Sequence, residues 1–292
     1  MAGALSQIIG KTLAPVALPL MRSLWPSDKY LWPVALMQGS ARSDAAQEVW
    51  SATPDGIQLL LRPGIYPDCA MLYGVFEIKT VQLMRSLLKQ GDTVIDVGAN
   101  VGWFSLLTAK IVGPSGKVHA FEPLPQNQRR LQANMDKNGL KNISLHPVGA
   151  GEADGEFEFY SFENDMLASL RPVMEGGTKI KCQVRTLDQE LRDVQSCKVF
   201  KIDIEGAETM ALRGGTDFIR RTKPHIVVEF NVDALKAFGE SPASITKLIR
   251  SIDSAYEPFT IDGFSHKPIT QSRIDTWNNR IYENVWFKPK GS

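Results

Sequence analysis

Cysteine is scarce in this chain: Cys69, Cys182 and Cys197 stand alone among 292 residues, with no Cys-x-x-Cys pair. A disulfide framework and a structural zinc set of the usual spacing are therefore not expected, and the pattern suits a reducing compartment. Excess charge is lacking too. With 33 Lys plus Arg against 32 Asp plus Glu, the net charge of +1 leaves no polybasic surface, which argues against a long nucleic-acid partner. The 43% hydrophobic and 22% charged content is that of a globular chain, and no internal repeat or low-complexity tract is present. Near the N-terminus the uncharged run Thr12 to Met21 is broken by Pro15 and Pro19 and falls well short of the ~20 residues that cross a bilayer. Only Lys11 precedes that run and no small-x-small site follows it cleanly, so neither a membrane span nor a signal peptide is expected.

What the N-terminus does have is an apolar stripe. Leu5, Ile8, Ile9, Leu13, Val16, Ala17, Leu20, Met21 and Leu24 recur at helical spacing, with Gln7, Lys11 and Arg22 mostly on other faces. Such a helix packs on its own domain or a dimer mate, or lies on a membrane surface, which leaves a cytoplasmic chain with or without peripheral membrane contact. Loop-like sequence follows from Trp25 to Trp50. A boundary is expected near residue 55, dividing a helical N-terminal extension (1–55) from the main domain (56–292).

Beyond that point strand and helix patterns alternate. A strand from Ile57 to Leu61 is followed by helical spacing from Phe76 to Lys89, which Gly91 stops. The pattern then predicts strands at 93–97, 117–121, 143–147, 199–204, 225–230 and near 284–287, with helices at 104–111, 126–138, 207–219 and 241–252. That order belongs to an α/β fold, a Rossmann-like doubly wound parallel sheet covered by helices on both faces. Between Phe157 and Val184 two alternating segments flank the polar stretch Glu163 to Thr178, read as a β-hairpin insertion with a lid.

Ligands of such sheets bind beyond the carboxyl ends of the strands. Three stretches lie there. Thr93-Val94-Ile95-Asp96-Val97-Gly98-Ala99-Asn100-Val101-Gly102 is a buried strand turning through glycines into a helix, a nucleoside-binding pattern. Asn100 occupies the place where a dinucleotide fingerprint needs glycine, and Asp96 would repel a pyrophosphate while attracting an ammonium. S-adenosylmethionine (SAM) carries an amino group and a sulfonium but no phosphate. Glu122, in Ala120-Phe121-Glu122-Pro123, ends the next strand about two dozen residues past the turn, the spacing at which an acid reaches ribose hydroxyls. The third stretch, Lys201-Ile202-Asp203-Ile204-Glu205-Gly206-Ala207-Glu208, places Lys201, Asp203 and Glu205 on one face of a strand. Charges there are costly unless paired or used, so a Lys201–Asp203 ion pair and a catalytic cluster are both open. His146 precedes Pro147 in an apolar strand, and His225 begins a strand at the end away from the ligand edge, so both suit packing.

These blocks, with Thr186-Leu187-Asp188, resemble the FkbM family of SAM-dependent methyltransferases over roughly Phe76 to Phe230. The resemblance implies a class I methyltransferase fold with a seven-stranded sheet, acting on hydroxyl groups of sugars or natural-product scaffolds. By it, Asp96, Gly98, Asn100 and Gly102 line the methionine end of SAM and Glu122 holds its ribose. Family members often carry Tyr-Glu or Trp-Glu before the helix leading into the first strand; here the pair is Phe76-Glu77, which keeps the acid, counted with Asp203 among the cofactor-binding residues, and lacks a tyrosine hydroxyl. Asp203 and Glu205 are the residues expected to accept or orient an acceptor hydroxyl proton, with Lys201 fixing Asp203 or stabilising the alkoxide. The acceptor itself, a small molecule, glycan or lipid headgroup, is not legible. No metal is expected; the alternative is a divalent ion on the oxygen ligands Asp203, Glu229 and Asn231. The competing functions are a nicotinamide oxidoreductase, against which Asn100 and the missing GxGxxG count, and a non-catalytic membrane-surface scaffold suggested by the N-terminal stripe.

Overall fold

In the computed structural model the described residues are 40, 43–162, 165–169, 178–262, 265–277 and 282–291. The N-terminal stripe and, apart from residues 165–169 and 178, the expected lid lie outside them. Strands β1 (Val49–Ala52) and β2 (Gln58–Leu61) pair antiparallel, Val49 opposite Leu61, around a turn in which the Gly56 N–H donates to the Thr53 carbonyl at 2.9 Å. β1 falls in sequence read as loop, because four residues are too few to show a period. The expected boundary at residue 55 falls inside this turn, so the hairpin straddles it. Two helices follow, α1 (Asp68–Leu72) and α2 (Ile78–Leu87).

The central winding then runs β3 (Thr93–Val97), α3 (Trp103–Val112), β4 (Lys117–Phe121), α4 (Pro125–Lys137) and β5 (Ile143–His146). An insertion comes next: β6 (Gly149–Ala150), β7 (Gly155–Phe162), β8 (Asp165–Ser169) and β9 (Thr178–Arg185), then α5 (Leu187–Glu190). β7 and β9 pair antiparallel, as their alternation predicts, and β8 adds a strand inside the stretch read as lid, making a four-stranded sheet ordered β6-β9-β7-β8. The winding resumes with β10 (Val199–Ile202), α6 (Glu208–Gly214), α7 (Thr216–Thr222), β11 (His225–Asn231), α8 (Val232–Ala237), α9 (Pro242–Ile252), β12 (Glu257–Thr260), α10 (Gln271–Asp275) and β13 (Tyr282–Lys288). The main sheet has seven strands in the order β12-β13-β11-β10-β3-β4-β5, with β13 antiparallel to both neighbours. This is a Rossmann-like doubly wound architecture, with the seven-stranded sheet that the resemblance implies. β12 went unread because Glu-Pro-Phe-Thr has no alternation and Pro258 marks an edge strand. Among the described residues, no helix is long and apolar enough to cross a membrane.

Alternation divides the core. Val94, Val118, Val199, Val227 and Trp286 point to one face, while Ile95, Val97, Phe200, Ile202, Val228 and Phe287 point to the other. The register sets Asp96 beside Lys201 and Val97 level with both Ile202 and Phe121. By continuation, Gly98, Glu122 and Asp203 emerge side by side at the carboxyl edge. The hairpin docks on this frame through side chains of α4 and its C-cap: Asn134 Oδ1 accepts from the Leu60 N–H at 2.7 Å and Asn138 Oδ1 from the Gln58 N–H at 2.9 Å.

One expected helix, 207–219, is broken in two at Gly214–Gly215. A Cβ on Gly214 would lie 1.9 Å from the Gly151 carbonyl oxygen, so α6 can pass the end of β6 only as glycine. Gly214→Ala should therefore destabilise the fold by about 1–3 kcal/mol, the usual cost of overpacking. Urea denaturation measures it, and a change within 0.5 kcal/mol would contradict the contact.

Candidate active site

The turn after β3 is shaped by a backbone meeting. Gly98 has φ +84°, and a Cβ there would sit 1.8 Å from the Asp203 carbonyl oxygen. The Asp203 N–H donates to the Val97 carbonyl at 3.0 Å, and the Gly98 and Ala99 N–H groups donate to the Phe121 carbonyl at 3.1 and 3.0 Å. Three strand ends are thus laced together by main chain. Asn100 takes φ +53°, a left-handed conformation that Asn adopts more readily than other non-glycine residues. Gly102, at φ +93°, serves packing: its missing Cβ would fall 2.3 Å from Leu131 Cδ1, and it does not line the cavity.

Glu122 is 4% exposed and its carboxylate faces three donors. Asn100 N–H donates to Oε2 at 2.9 Å, while Leu124 N–H and Asn127 Nδ2 donate to Oε1 at 2.9 and 3.3 Å. Burial nevertheless pushes its pKa up to about 7, against the pull of those hydrogen bonds. The acid is a fixed, desolvated acceptor.

On the neighbouring strands Asp96 is 2% exposed and accepts from Ser105 Oγ at 2.6 Å. Burial raises its pKa, with the Lys201 charge and the Ser105 hydrogen bond opposing. Lys201 is equally buried and sits 2.9 Å from Asp203 Oδ2, with its ammonium 4.8 Å from the centre of the Phe104 ring. Burial works against that charge, but Asp203, Glu77 and Asp96 outweigh it and hold the lysine above its ordinary value. The expected ion pair is present, and it stands at the carboxyl edge of the sheet.

Glu205 takes φ +53°, strain of the order of 1–3 kcal/mol for a non-glycine residue. Its carboxylate accepts from Asn231 Nδ2 at 3.1 Å, and burial, followed by repulsion from Asp203 and Glu208, pushes its pKa up to about 8. Glu208 secures this turn from beneath. Fully buried, it accepts through Oε1 from the Ile204 and Gly206 N–H groups, both at 3.1 Å.

Asp96, Gly98, Asn100, Glu122, Lys201, Asp203 and Glu205 line a single cavity at the carboxyl edge. It is a cleft open to solvent, lined on the sheet side by these residues. The sequence did not signal Tyr66, Asn127 and Phe159, which arrive at its wall from elements far apart in the chain, whereas Trp103 and Phe104 directly follow the glycine turn. Asn127 alone left a trace, as a polar residue in the first turn after Glu122-Pro123.

With this geometry in view, residues 96–256 match the Methyltransferase FkbM domain. The chain belongs to the FkbM methyltransferase family. It is similar to the hexuronic acid methyltransferase AglP of Haloferax volcanii, 27% identical over 173 residues that cover 59% of this chain and 67% of that protein. It is also similar to the 31-O-demethyl-FK506 methyltransferase FkbM of Streptomyces tacrolimicus, 29% identical over 163 residues that cover 44% of this chain and 62% of that one. The matches span about two thirds or less of these curated relatives. A solved FkbM methyltransferase from Methylobacillus flagellatus KT aligns with a TM-score of 0.45 at 18% identity, over 87% of this chain and 53% of that one. The family is SAM-dependent, which removes the dinucleotide alternative.

The remaining candidates in this FkbM family member lie outside the cavity wall. Glu77 begins α2 at φ +45°, accepts from Asn284 Nδ2, and acts on Lys201 through its charge. Asn231 caps α8, its Oδ1 accepting from the Ala234 N–H at 3.2 Å, while its Nδ2 donates to Glu205. Carboxylate atoms of Asp203, Glu205 and Glu229 lie within 4.8 Å of one another, so Glu205 joins the oxygen set that the sequence offers. His146 stacks on Phe121 at 4.3 Å and bonds His119 at 3.0 Å and Glu190 at 2.9 Å, while His225 accepts or shares the Trp286 Nε1–H at 3.1 Å. Neither lines the cavity.

Glu122, Glu205 and Glu208 all have folded-state values above the ordinary 4.5. Their contribution to stability is present below about pH 4.5 and is lost as pH rises through about 7 to 8. The ligand-free melting temperature should therefore fall across that window, and fall less in Glu122→Gln. Parallel melting curves for the two proteins would refute the assignment.

Proposed function

We propose that this FkbM family member transfers the methyl group of SAM to a hydroxyl oxygen of a small molecule, sugar, lipid headgroup or natural-product scaffold. One observation carries the reading: the Lys201–Asp203 pair and the Glu205 carboxylate stand one strand away from the Asp96–Asn100 turn, at the same open edge. The cofactor's chemical needs match the donors. Asp96 Oδ1 is buried at the cavity without a hydrogen-bond partner among the described residues, an acceptor suited to an ammonium. Glu122, already aligned by three donors, retains lone pairs for ribose hydroxyls. AglP and the FK506 enzyme are named for a hexuronic acid and for a 31-O position, and oxygen as the acceptor atom rests on that likeness.

When bound, SAM supplies an activated methyl carbon, so the protein's main task is alignment, for which proximity contributes up to ~7–11 kcal/mol. The hydroxyl must also lose its proton. Glu205, held near 8, is a base matched to neutral pH, and Asp203 orients the hydroxyl from its pairing with Lys201. The buried ammonium stabilises negative charge developing on the oxygen. The aromatic walls exclude water from this edge.

Asp96→Ala and Glu122→Ala should each weaken SAM binding at least tenfold in calorimetry. Asp203→Ala should keep SAM affinity while lowering turnover by about 10²–10⁴-fold, the range of general acid–base assistance. Normal SAM affinity in both of the first two variants would displace the cofactor from this cavity. The 4.8 Å cluster of Asp203, Glu205 and Glu229 favours a second reading, in which a divalent ion orients the hydroxyl. The first reading requires that turnover survive EDTA; loss with EDTA and recovery with Mg²⁺ would establish the second.

A further inference from the structure

Three polar side chains meet where α2 begins and β13 passes beneath it. Asn284 Nδ2 donates to Glu77 Oε2 and, at 2.9 Å, to Thr80 Oγ1. Glu77 directly precedes α2 and Thr80 lies in its first turn, and both are buried. Strand register carries this contact toward the charged strand. Asn284 lies opposite Glu229 on β11, and Val227, two residues earlier on the same face, lies opposite Lys201 on β10. Through Val81, Leu83 and Met84, α2 packs over that face in one core with Val227 and Trp286. Phe76, next to Glu77 in the chain, stands 6.5 Å from the Phe104 ring, which holds the Lys201 ammonium at 4.8 Å. Burial works against the lysine's charge, and among the groups that oppose burial Glu77 ranks just behind Asp203.

This contact answers an electrostatic problem that methyl transfer sets. The delivered carbon must reach a hydroxyl beside Asp203, so the sulfonium of SAM comes to an edge where a buried ammonium already stands. Two positive charges in a poorly screened space repel. Asp203 offsets the ammonium at 2.9 Å, yet it also has the acceptor hydroxyl to orient. A second carboxylate outside the ligand space removes the conflict. Phe76 lines the cavity, whereas Glu77 is not among its described lining residues, so Glu77 acts on the local charge without occupying the site. A covered carboxylate is favoured in its charged form by a fixed N–H donor, and Asn284 supplies one.

Resting on the methyl-transfer reading above, we propose that Glu77, clamped by Asn284, balances the Lys201 ammonium from behind the cavity and thereby selects the sulfonium cation of SAM over uncharged S-adenosylhomocysteine. Asn284 is a positioning residue that acts on the ligand only through Glu77. The selection lapses by itself as the reaction proceeds. When the methyl carbon leaves sulfur for oxygen, the S–C electron pair stays on sulfur, the sulfonium becomes a neutral thioether, and the attraction that held the substrate cofactor is gone.

Calorimetry on the full chain at pH 7, titrated with SAM and with S-adenosylhomocysteine, tests this without an acceptor. Glu77→Gln, which keeps the shape and removes the charge, should lower the ratio of SAM to S-adenosylhomocysteine affinity at least threefold. A merely structural role would weaken both ligands together and leave the ratio in place. Asn284→Leu should lower the ratio in the same direction, and the double variant should fall no further than Glu77→Gln, because a residue that acts only through another adds nothing once that other is gone. Should Asn284→Leu fail to fold, Asn284→Ser takes its place in the cycle. A smaller change of the ratio in Glu77→Gln, or additive losses in the double variant, would each overturn the proposal. The two readings stay apart: a chain that binds neither ligand loses the methyl-transfer reading, whereas one that binds both with an unmoved ratio loses only the charge balance.

Discussion

A buried ammonium holds this site together. Lys201 lies in the central sheet with Asp96 beside it in register, Asp203 two residues on, and Glu77 reaching in from the start of α2. Lysine and aspartate are both expensive to bury alone, and removing one partner of such a pair typically costs ~3–5 kcal/mol. Each group is tolerable because the others are present. The consequence is positional: the strand that carries Lys201 must sit next to the strand that carries Asp96, which brings the two functional turns into one edge.

The turns themselves are built from unfavourable conformations that the surroundings enforce. Glu77, Asn100 and Glu205 all have positive φ, and two of them carry carboxylates at or near the cluster around Lys201. Gly98 and Gly206 can approach the carbonyls of Asp203 and Ala234 only because they lack a Cβ. Glu208 then satisfies the freed N–H groups of Ile204 and Gly206. Strain, glycine and a buried acceptor together hold Asp203 and Glu205 at the edge with little freedom left to lose.

The second sheet adds what the first cannot. β7 supplies Phe159 to the cavity, and Gly149 and Ala150 of β6 complete the wall beside Glu122. Phe159 also packs with Leu124, Cys182 and Val184, so the insertion is seated on the start of α4 by an apolar cluster. From the opposite side, Arg130 of α4 reaches Asp68 at 2.6 Å and the Leu60 carbonyl at 2.6 Å. The α4 helix therefore connects the ribose-side acid with both walls of the cleft.

Much of this was written in local sequence. β3 and β4 begin and end where their hydrophobic runs do, and the spacing of Asp96, Glu122 and Asp203 follows from strand period and the rule that ligands sit past carboxyl ends. Those are properties of neighbours along the chain. What needed the tertiary structure are relations between distant residues. The Asn284 contact with Glu77 spans 207 positions, Glu205 joins Asp203 and Glu229 in one acidic cluster while Asn231 beside it caps a helix, and Gly102 faces Leu131 instead of the cavity. Tyr66 was silent in the sequence for the same reason, since an aromatic beside a proline reads as loop until α1, α2 and α3 set it on the rim. Sequence determined which residues end the strands; packing alone decided which of them share a space, and that sharing sets their charge.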